Sequence, residues 1–382
     1  MQIFAMGFRA FFLLGAFWAV LSGIWWLGFL HGVITPHQLN PFSWHAHEMI
    51  HGFAAAIISG FLLTASANWT KTRGAHGITL FLLVLLWVLN RLAYGWLWFH
   101  GPHSGLWTTF VFYVALTCVL LPPLWRARQW HNLGLLLWLL LLGVAEFMQS
   151  ASLLNAKPVL AERAMLLSLN ATLAFVAIIG GRVIPFFTRN KLPHLDIRKE
   201  PVAEWFSLGL LLAITVCDLL YGRRHTCSGV LSLFAGLAFL ARGRHWHSFE
   251  TRHEPMLWVL HLGYFFLVCG FLLRTLCHGI PQLPQSAWIH MFTLGALSLV
   301  VLGMISRVSL GHTGRVIQAS NWVRASFMLL VFATIFRQWA SWLPTHLWAR
   351  DASLLLFTGA FVIFLWHYTP ILTSARADGK TG

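Results

Sequence analysis

Long apolar segments alternate with short polar connections along the whole chain. A membrane-spanning helix needs roughly 20 consecutive apolar residues, and twelve segments approach or exceed that length, the seventh and eighth being the shortest. The pattern predicts an all-α polytopic membrane protein, a bundle of about twelve transmembrane helices. The predicted spans are Phe8–Leu30, His47–Asn68, Ile78–Trp98, Leu106–Leu124, Leu133–Leu154, Leu160–Ile184, Trp205–Leu220, Ser228–Ala241, Met256–Cys277, Trp288–Leu310, Trp322–Ala340 and Ala352–Tyr368.

The connections between these segments are too short to hold a water-soluble domain, and the longest is Arg182–Glu204. We therefore predict a single transmembrane domain over residues 1–382, in which residues 369–382 form a flexible cytoplasmic tail. The N-terminus lacks a small-residue cleavage site followed by a polar mature domain, so the first span is predicted to be retained and not to be a signal peptide.

The charge distribution predicts the orientation in the membrane. Only 10% of the residues are charged and 58% are hydrophobic, whereas soluble domains carry about 25% charged residues. Of the 26 Lys and Arg residues, 18 lie at the termini and in the even-numbered connections, and 8 lie on the opposite side. The positive-inside rule then places both termini in the cytoplasm. This bias explains the net charge of +15 without a nucleic-acid partner, and it favours the bacterial inner (cytoplasmic) membrane.

A run of histidines at the start of the second segment, residues 44–51 (WHAHEMIH), carries most of the candidate chemistry. Ionisable groups in a membrane span are rare and usually functional, and imidazole is a common metal and haem ligand. His47 and His51 share one helix face, whereas His45 lies about 200° from His47 at 3.6 residues per turn. We predict His45, His47 and His51 as metal ligands, with His45 and Glu48 as candidate catalytic groups, of which Glu48 could orient a histidine or pass protons.

A possible partner for His47 is His290, which opens the tenth segment at the same predicted, periplasmic end. Two imidazoles at matched depth on two helices could hold a haem between them. The haem propionates would need cations, and the predicted partners are Arg91, Arg274 and Arg337. The alternative is that these arginines extend to the lipid headgroups.

Further ionisable groups lie in or beside later spans. His261, about two turns into the ninth segment, is a candidate ligand, and His312 follows the tenth segment in a glycine-rich loop that could also bind an anion. Glu146, with Asn170 on the neighbouring segment, could belong to a proton path, or it could form an ion pair with an arginine inside the membrane.

Residues 47–51 also match H-E-x-x-H, the zinc-protease pattern, in which two histidines bind zinc and Glu activates water. Intramembrane proteases of this type need a third ligand on a later helix, and neither Leu195-Asp196-Ile197 nor Cys217-Asp218-Leu219 fits that role. The protease interpretation is therefore weak. The five cysteines form no C-x-x-C pair and are interpreted as small core residues, with Cys277-His278 as the one pair that could do more.

Several blocks of the sequence resemble NnrS, a family of twelve-span bacterial proteins reported to bind haem and copper and linked to nitric oxide metabolism. They occur in order along nearly the whole chain. The blocks are GFRAFFLL at 7–14, WHAHEM at 44–49 continuing to FLLT at 61–64 and NWT at 68–70, GGRVIPFFT at 180–188, HLGY at 261–264, and His290 through Gly295 and Arg307 to GHTGR at 311–315.

The resemblance implies functional roles for matching residues of this chain. The family pattern carries over onto His45, His47, Glu48, His261, His290, Arg307 and His312, and it implies haem b and copper as cofactors. It does not require His51, where an aromatic residue is usual. The family in turn resembles the large subunit of haem–copper oxidases, with haem ligands on the second and tenth spans, which agrees with His47 and His290 although a shared fold does not establish chemistry.

These observations support one main hypothesis and leave two others open. The main hypothesis is a haem- and copper-binding membrane protein that reduces or scavenges nitric oxide, with quinol as a possible electron donor; it could be an oxidoreductase resembling nitric oxide reductases. The rival is a twelve-span transporter, and a third interpretation is a protein that binds metal or gas, or assembles a metal site, without redox turnover. The oligomeric state and the number of haems stay open.

Overall fold

The computed structural model describes residues 2–35, 40–100, 110–280 and 282–379, apart from the side chains of 96–100 and 153–154. This part of the chain is helical and contains no strand, which confirms the predicted all-α class. The helices are α1 (Gly7–Leu30), α2 (Pro41–Thr70), α3 (Gly77–His100), α4 (Val111–Arg126), α5 (Trp130–Leu154), α6 (Pro158–Lys191), α7 (Pro201–Tyr221), α8 (Thr226–Gly243), α9 (Pro255–Gly279), α10 (Gln285–His312), α11 (Asn321–Trp342) and α12 (Leu347–Thr373).

Each of the twelve predicted spans coincides with one of these helices, and ten of the helices are long and apolar enough to cross a membrane. The two others are α4, a shorter apolar helix of 16 residues, and α11. The predicted start of the fourth span, Leu106, lies outside the described residues. The chain is therefore a multi-pass membrane protein, while the side on which its termini lie stays a prediction.

Helix α2 begins six residues before the span predicted from hydropathy. The Asn40 side chain accepts hydrogen bonds from the backbone N–H groups of Phe42 (2.9 Å) and Ser43 (3.3 Å), and Pro41 occupies the first helical position. Asparagine at the cap and proline at this position are both favourable for a helix start. His45 and His47 consequently lie within the helix and not ahead of it.

The chain divides into two compact units. Unit 1 contains Met1–Thr172, Val308–Val316 and Phe364–Gly382, and unit 2 contains Leu173–Arg307 and Ile317–Ile363. In unit 1, α1 packs along α2, α2 contacts α4, and α4 packs against α5. In unit 2, α7, α8 and α9 pack consecutively, and α9 also packs against α10. The prediction of a single domain over residues 1–382 stays a prediction.

Two helices contain a seven-residue π-helical stretch directly after a histidine. In α2 the stretch is Glu48–Ala54 and follows His47; in α10 it is Met291–Leu297 and follows His290. A π-helical turn is rare and frequently marks a functional site. The two histidines therefore occupy equivalent places in two helices with the same irregularity.

The helix pairs α1–α2 and α9–α10 are also packed in the same way, each within its own unit. A Cβ built at Gly60 of α2 would lie 2.9 Å from the Phe11 Cβ, and one built at Gly303 of α10 would lie 2.7 Å from a Val259 methyl group. The spacings match, because Gly60 lies 13 residues after His47 and Gly303 lies 13 residues after His290. The two pairs form an internal repeat that brings neighbouring helices close at glycine.

Burial distinguishes three helices from the other candidate spans. In α2, α6 and α10 the most hydrophobic stretch is 89%, 83% and 78% buried, against 61% or less in the others. A span that is apolar on all sides suits such a buried position. These three helices also carry many of the candidate residues, including His47 and His290.

The C-terminal segment is tied to the rest of unit 1. The fully buried Arg9 guanidinium donates hydrogen bonds to the carbonyls of Leu372 (2.8 Å) and Ser374 (2.7 Å), at the end of α12. Arg376 donates to the carbonyl of His312 at 2.8 Å. These bonds hold the start of the predicted tail, residues 369–382, whose last three residues lie outside the described part.

The close helix contacts predict that adding a methyl group at a glycine lowers stability at the contact positions and not at an uncrowded one. Gly60→Ala and Gly303→Ala each add a Cβ closer than 3.0 Å to a neighbouring side chain, and overpacking of this kind costs about 1–3 kcal/mol. We expect both variants to lower the midpoint of thermal unfolding in detergent. The matched control is Gly209→Ala in α7, where an added Cβ meets nothing within 4 Å. An equal loss in all three variants would contradict the packing described.

Candidate functional site

Two histidines of α2 and a glutamate of α5 meet in the buried interior of unit 1. His47 Nε2 lies 3.0 and 2.9 Å from the two carboxylate oxygens of Glu146, and His51 Nδ1 lies 2.9 Å from Glu146 Oε2. The two imidazole rings are 4.9 Å apart, as expected for one helix face. Each of the three side chains offers a ligand atom, and these atoms all lie within 4.8 Å of one another. The arrangement matches the two-histidine, one-carboxylate ligand set of metal centres.

His47 lies between two carboxylates. Its Nδ1 is 2.8 Å from Glu48 Oε1 and its Nε2 faces Glu146. With Glu48 and Glu146 both ionised, each carboxylate can only accept, so both ring nitrogens donate and the ring is an imidazolium. Tyr94 stacks on it, with ring centroids 3.4 Å apart and planes at 10°. The orientation of His47 is therefore fixed from three directions.

His51 can present either nitrogen as the lone-pair atom. Its Nε2 lies 2.9 Å from Ser168 Oγ, its Nδ1 lies 2.6 Å from the Tyr113 hydroxyl, and Ser168 can also donate to the carbonyl of Ala164. Nδ1 also lies 2.9 Å from Glu146 Oε2, which as a carboxylate oxygen can only accept, so a neutral His51 carries its proton on Nδ1 and accepts from the Ser168 hydroxyl at Nε2. The other tautomer, in which Nε2–H donates to Ser168 and Ser168 donates to Ala164, would present Nδ1 as a ligand atom to a metal ion beside Glu146.

Glu48 is held by three donors. Its Oε2 accepts from Arg91 Nη1 at 2.6 Å and from Trp18 Nε1 at 2.7 Å, while its Oε1 accepts from His47. Arg91, predicted as a haem-propionate partner, is thus placed against Glu48 on the neighbouring helix α3. Glu48 can orient His47 as outer carboxylates do around metal sites.

We call His47, Glu48, His51, Arg91 and Glu146 the buried cluster. All five side chains are at most a few per cent exposed. With His51 neutral, the cluster contains two cations and two carboxylates, so its net charge is zero. Electroneutrality and hydrogen bonding are what make such a group tolerable inside a membrane.

The structure separates His45 from the buried cluster. The His45 ring stacks on Trp26 of α1, with centroids 4.4 Å apart and planes at 22°. This agrees with the helical angle expected between His45 and His47. His45 as a catalytic group or metal ligand stays a prediction. Among the described residues, the group of potential ligands around His47 and His51 does not include His45.

In unit 2, His290 has the hydrogen-bond pattern of a ligand histidine. Its Nδ1 lies 2.8 Å from the carbonyl of Ser286, one turn earlier in α10. Donation from Nδ1–H to a backbone carbonyl leaves the lone pair on Nε2, as in many metal-bound histidines. His47 and His290 belong to different units, so their binding to one haem stays a prediction.

The two other predicted propionate partners lie in unit 2. Arg274 Nη2 donates to Asp218 Oδ1 at 2.5 Å, and its guanidinium lies 4.7 Å from the Trp288 ring centroid. Arg337 Nη1 donates to Ser341 Oγ on its own helix at 3.0 Å. Arg274, like Arg91, is thus paired with a buried carboxylate, which is a sufficient reason for a cation at that position.

Two residues of the second predicted group of ligands, His261 and Arg307, belong to unit 2. His261 Nε2 is 2.9 Å from Thr188 Oγ1, and its Nδ1 is 2.9 Å from Ser248 Oγ. The Arg307 guanidinium lies 4.0 Å above the Phe187 ring. These contacts join α6, α9 and α10 within unit 2.

His312, at the end of α10, belongs to unit 1. Its ring lies 5.5 Å from that of Phe8.

The sequence did not show that Glu146 lies beside the histidines of α2. The two aspartate segments did not fit as a third ligand, and Glu146 of α5 lies where a third ligand could stand beside His47 and His51. The protease interpretation gains nothing from this, since both oxygens of Glu48, the group that would activate water, are occupied by His47, Arg91 and Trp18. The signal in the sequence was a carboxylate in the middle of a span, which needs a partner.

Comparison with known proteins supports the resemblance seen in the sequence. The family model described as NnrS protein matches residues 2–376, nearly the whole chain. A search of curated proteins found no match. The matched range contains both π-helical stretches, the buried cluster and His290. The chain therefore belongs to the NnrS family.

Proposed function

We propose that this protein is a metal-containing inner-membrane protein that acts on nitric oxide, and that the buried cluster holds one of its metal ions. The observation that carries the proposal is the meeting of His47, His51 and Glu146 within 4.8 Å inside a membrane-spanning bundle. Family membership links the chain to nitric oxide. Neither packing nor helix stability requires three potential metal ligands at one buried point.

The ligand set suits a first-row transition metal ion, and we propose copper. Imidazole and carboxylate ligands bind copper, iron and zinc. A metal ion bound at His47 Nε2 would displace the proton of that nitrogen. Nδ1–H would keep its hydrogen bond to Glu48, which gives the carboxylate–histidine–metal arrangement. One monovalent cation in place of one proton leaves the net charge of the cluster at zero.

Haem b fits His290 better than His47. Both nitrogens of His47 lie within 3.0 Å of carboxylate oxygens, and Tyr94 covers its ring. A haem at His47 would have to displace a carboxylate and break the charge balance. His290 has its Nδ1 fixed by Ser286, so we propose His290 as a haem ligand with Arg337 as a candidate propionate partner, while His261, Arg307 and His312 stay candidates for a second site.

A bound metal ion would supply an open position for nitric oxide and, with a redox-active metal, an electron. The protein side chains would do the rest. Arg91 holds Glu48 as a carboxylate, and Glu48 keeps His47 oriented. The Tyr113 hydroxyl, 2.6 Å from His51 Nδ1, is a proton donor beside the site. The described part contains no soluble domain, so we propose a quinol dissolved in the membrane as electron donor.

The alternative of a transporter receives support from one observation. The buried cluster is satisfied and electroneutral without a metal ion, as a proton-binding site in a transporter would be. Scavenging of nitric oxide without turnover is the other alternative. Metal content separates the first alternative from the proposal, and the stoichiometry of nitric oxide uptake separates the second.

Metal content is the first test. We expect His51→Ala and Glu146→Gln each to contain one non-haem transition metal ion per chain less than the purified wild-type protein, because each removes a ligand. His45→Ala is the matched control, since His45 lies against Trp26, and it should keep the metal. Elemental analysis after size-exclusion chromatography gives the answer. Full metal content in both ligand variants would contradict the site, and loss in His45→Ala would restore His45 as a ligand.

A charge-balanced double variant separates the structural role of Glu48 from its role beside the metal. Glu48→Gln leaves Arg91 buried without its carboxylate, and breaking a buried pair costs about 3–5 kcal/mol. We expect Glu48→Gln with Arg91→Met to recover much of the thermal stability. Metal affinity should stay about 10–100-fold weaker in both variants, because the outer carboxylate is missing. Recovery of affinity in the double variant would show that Glu48 only balances charge.

Nitric oxide consumption tests the function. With a reduced quinol, we expect the wild-type protein to consume nitric oxide well beyond one molecule per chain in an electrode assay, and Glu146→Gln to consume none. Uptake that stops at one equivalent would indicate scavenging. Absorption spectra of the same samples should contain a haem band that changes in His290→Ala but not in His278→Ala, a histidine whose Nδ1 also bonds a carbonyl of its own helix. A wild-type protein without haem or uptake would contradict the proposal.

A further inference from the structure

A second group of metal-ligand residues lies at the short turn between α7 and α8 in unit 2. Cys217 is in the last turn of α7, His225 precedes the first residue of α8, and Cys227 is in the first turn of α8. The ligand atoms of these three residues all lie within 4.8 Å of one another. Cys217 is buried, whereas His225 and Cys227 are exposed, so an ion can reach the group from the protein surface.

The local fold explains why residues ten apart in sequence meet. Gly222, with a φ of +83°, ends α7 in a conformation that L-residues rarely adopt. The chain then turns back, and the His225 side chain caps α8 by accepting the Cys227 N–H at 3.3 Å. The Tyr221 ring stacks on the His225 ring at 4.6 Å. The spacing C-x₇-H-x-C is therefore held by a helix stop, a cap and an aromatic contact.

The cysteines need not be thiolates before metal binds, because binding of an ion displaces the thiol protons. The Ser228 hydroxyl lies 2.8 Å from Asp218 Oδ1 and 3.3 Å from Cys217 Sγ, and its one proton can be donated to either acceptor. The neighbouring carboxylate, Asp218, accepts from Arg274 at 2.5 Å, which offsets the repulsion it would exert on a thiolate. The turn itself carries Arg223 and Arg224. The thiolate is the form of cysteine that binds metals.

We propose that Cys217, His225 and Cys227 form a binding site for a Cu(I) ion. Thiolates select soft ions, chiefly Cu(I) and Zn²⁺. Structural zinc sites take four protein ligands in a tetrahedron, whereas this group, as far as the described residues extend, contains three. Two soft thiolates and one imidazole, three ligands in all, suit Cu(I). The interpretation of the cysteines as core residues fails here, because Cys227 is exposed.

This site does not rest on the function proposed for the buried cluster. It uses other side chains, in unit 2, and it needs no electron transfer, since Cu(I) binds as supplied. A copper ion held at an accessible turn could be taken up or handed on by ligand exchange. The readout of its test is Cu(I) binding and not nitric oxide consumption, so either proposal can fail alone.

Titration of the purified full-length protein tests the site. The protein is reduced, freed of metal, and titrated with Cu(I) under anaerobic conditions against a chromophoric Cu(I) chelator. We expect Cys227→Ser and His225→Ala to bind one Cu(I) per chain less than the wild type, or to bind that equivalent with markedly lower affinity. The matched control is Cys118→Ser, which removes an exposed cysteine of α4 and should match the wild type.

Cys227 and His225 are exposed, so the variants should fold, which size-exclusion chromatography verifies. Subtraction of the X-ray absorption spectrum of copper-loaded Cys227→Ser from that of the copper-loaded wild type should show copper with sulfur neighbours. Identical Cu(I) binding in the wild type and both variants would overturn the proposal. Displacement of the Cu(I) ion at this turn by Zn²⁺ in a competition experiment would also overturn it. A third contradicting result would be a Cys217–Cys227 disulfide, found by peptide mapping, in a protein that binds no Cu(I) at this turn after reduction.

Discussion

The need to balance buried charge inside the membrane governs the structure of unit 1. Glu48 and Glu146 are completely buried, and each would be too costly there alone. Arg91 neutralises the first, and the imidazolium of His47 joins the two. This requirement fixes which faces of α2, α3 and α5 must meet. The same group of side chains that satisfies the charges also presents three potential metal ligands, so stability and the proposed function share one set of atoms.

The π-helical stretches explain how α2 can serve both purposes. A regular helix would turn Glu48 and His51 by a fixed angle relative to His47, whereas the wider turn over Glu48–Ala54 changes that angle. The same stretch recurs after His290 in α10. In both helices a glycine lies five residues after the histidine, at Gly52 and Gly295, against an aromatic side chain of the preceding helix. The two helices therefore share a local geometry after the histidine, although the contacts of the two histidines differ.

The sequence predicted part of the site and missed the rest for physical reasons. His47, His51 and Glu48 could be found because charge and imidazole stand out against an apolar background. The repeated spacing of Gly60 and Gly303 was also present in the sequence, but its meaning depends on helix contacts. Cys217 and Cys227 looked like core residues, because hydropathy does not show that a turn of four residues brings two helix ends together.

The sequence by itself determined the all-helical membrane architecture, the number of helices and the family, because apolar length and periodicity are local properties of the chain. Only the tertiary structure decided which ionisable groups are partners. Glu146 lies 99 residues from His47, and Arg91 lies 43 residues from Glu48. Such pairings depend on how helices rotate about their axes when they pack. Glycine contacts and buried charge together set that rotation, so no single segment of the sequence determines it.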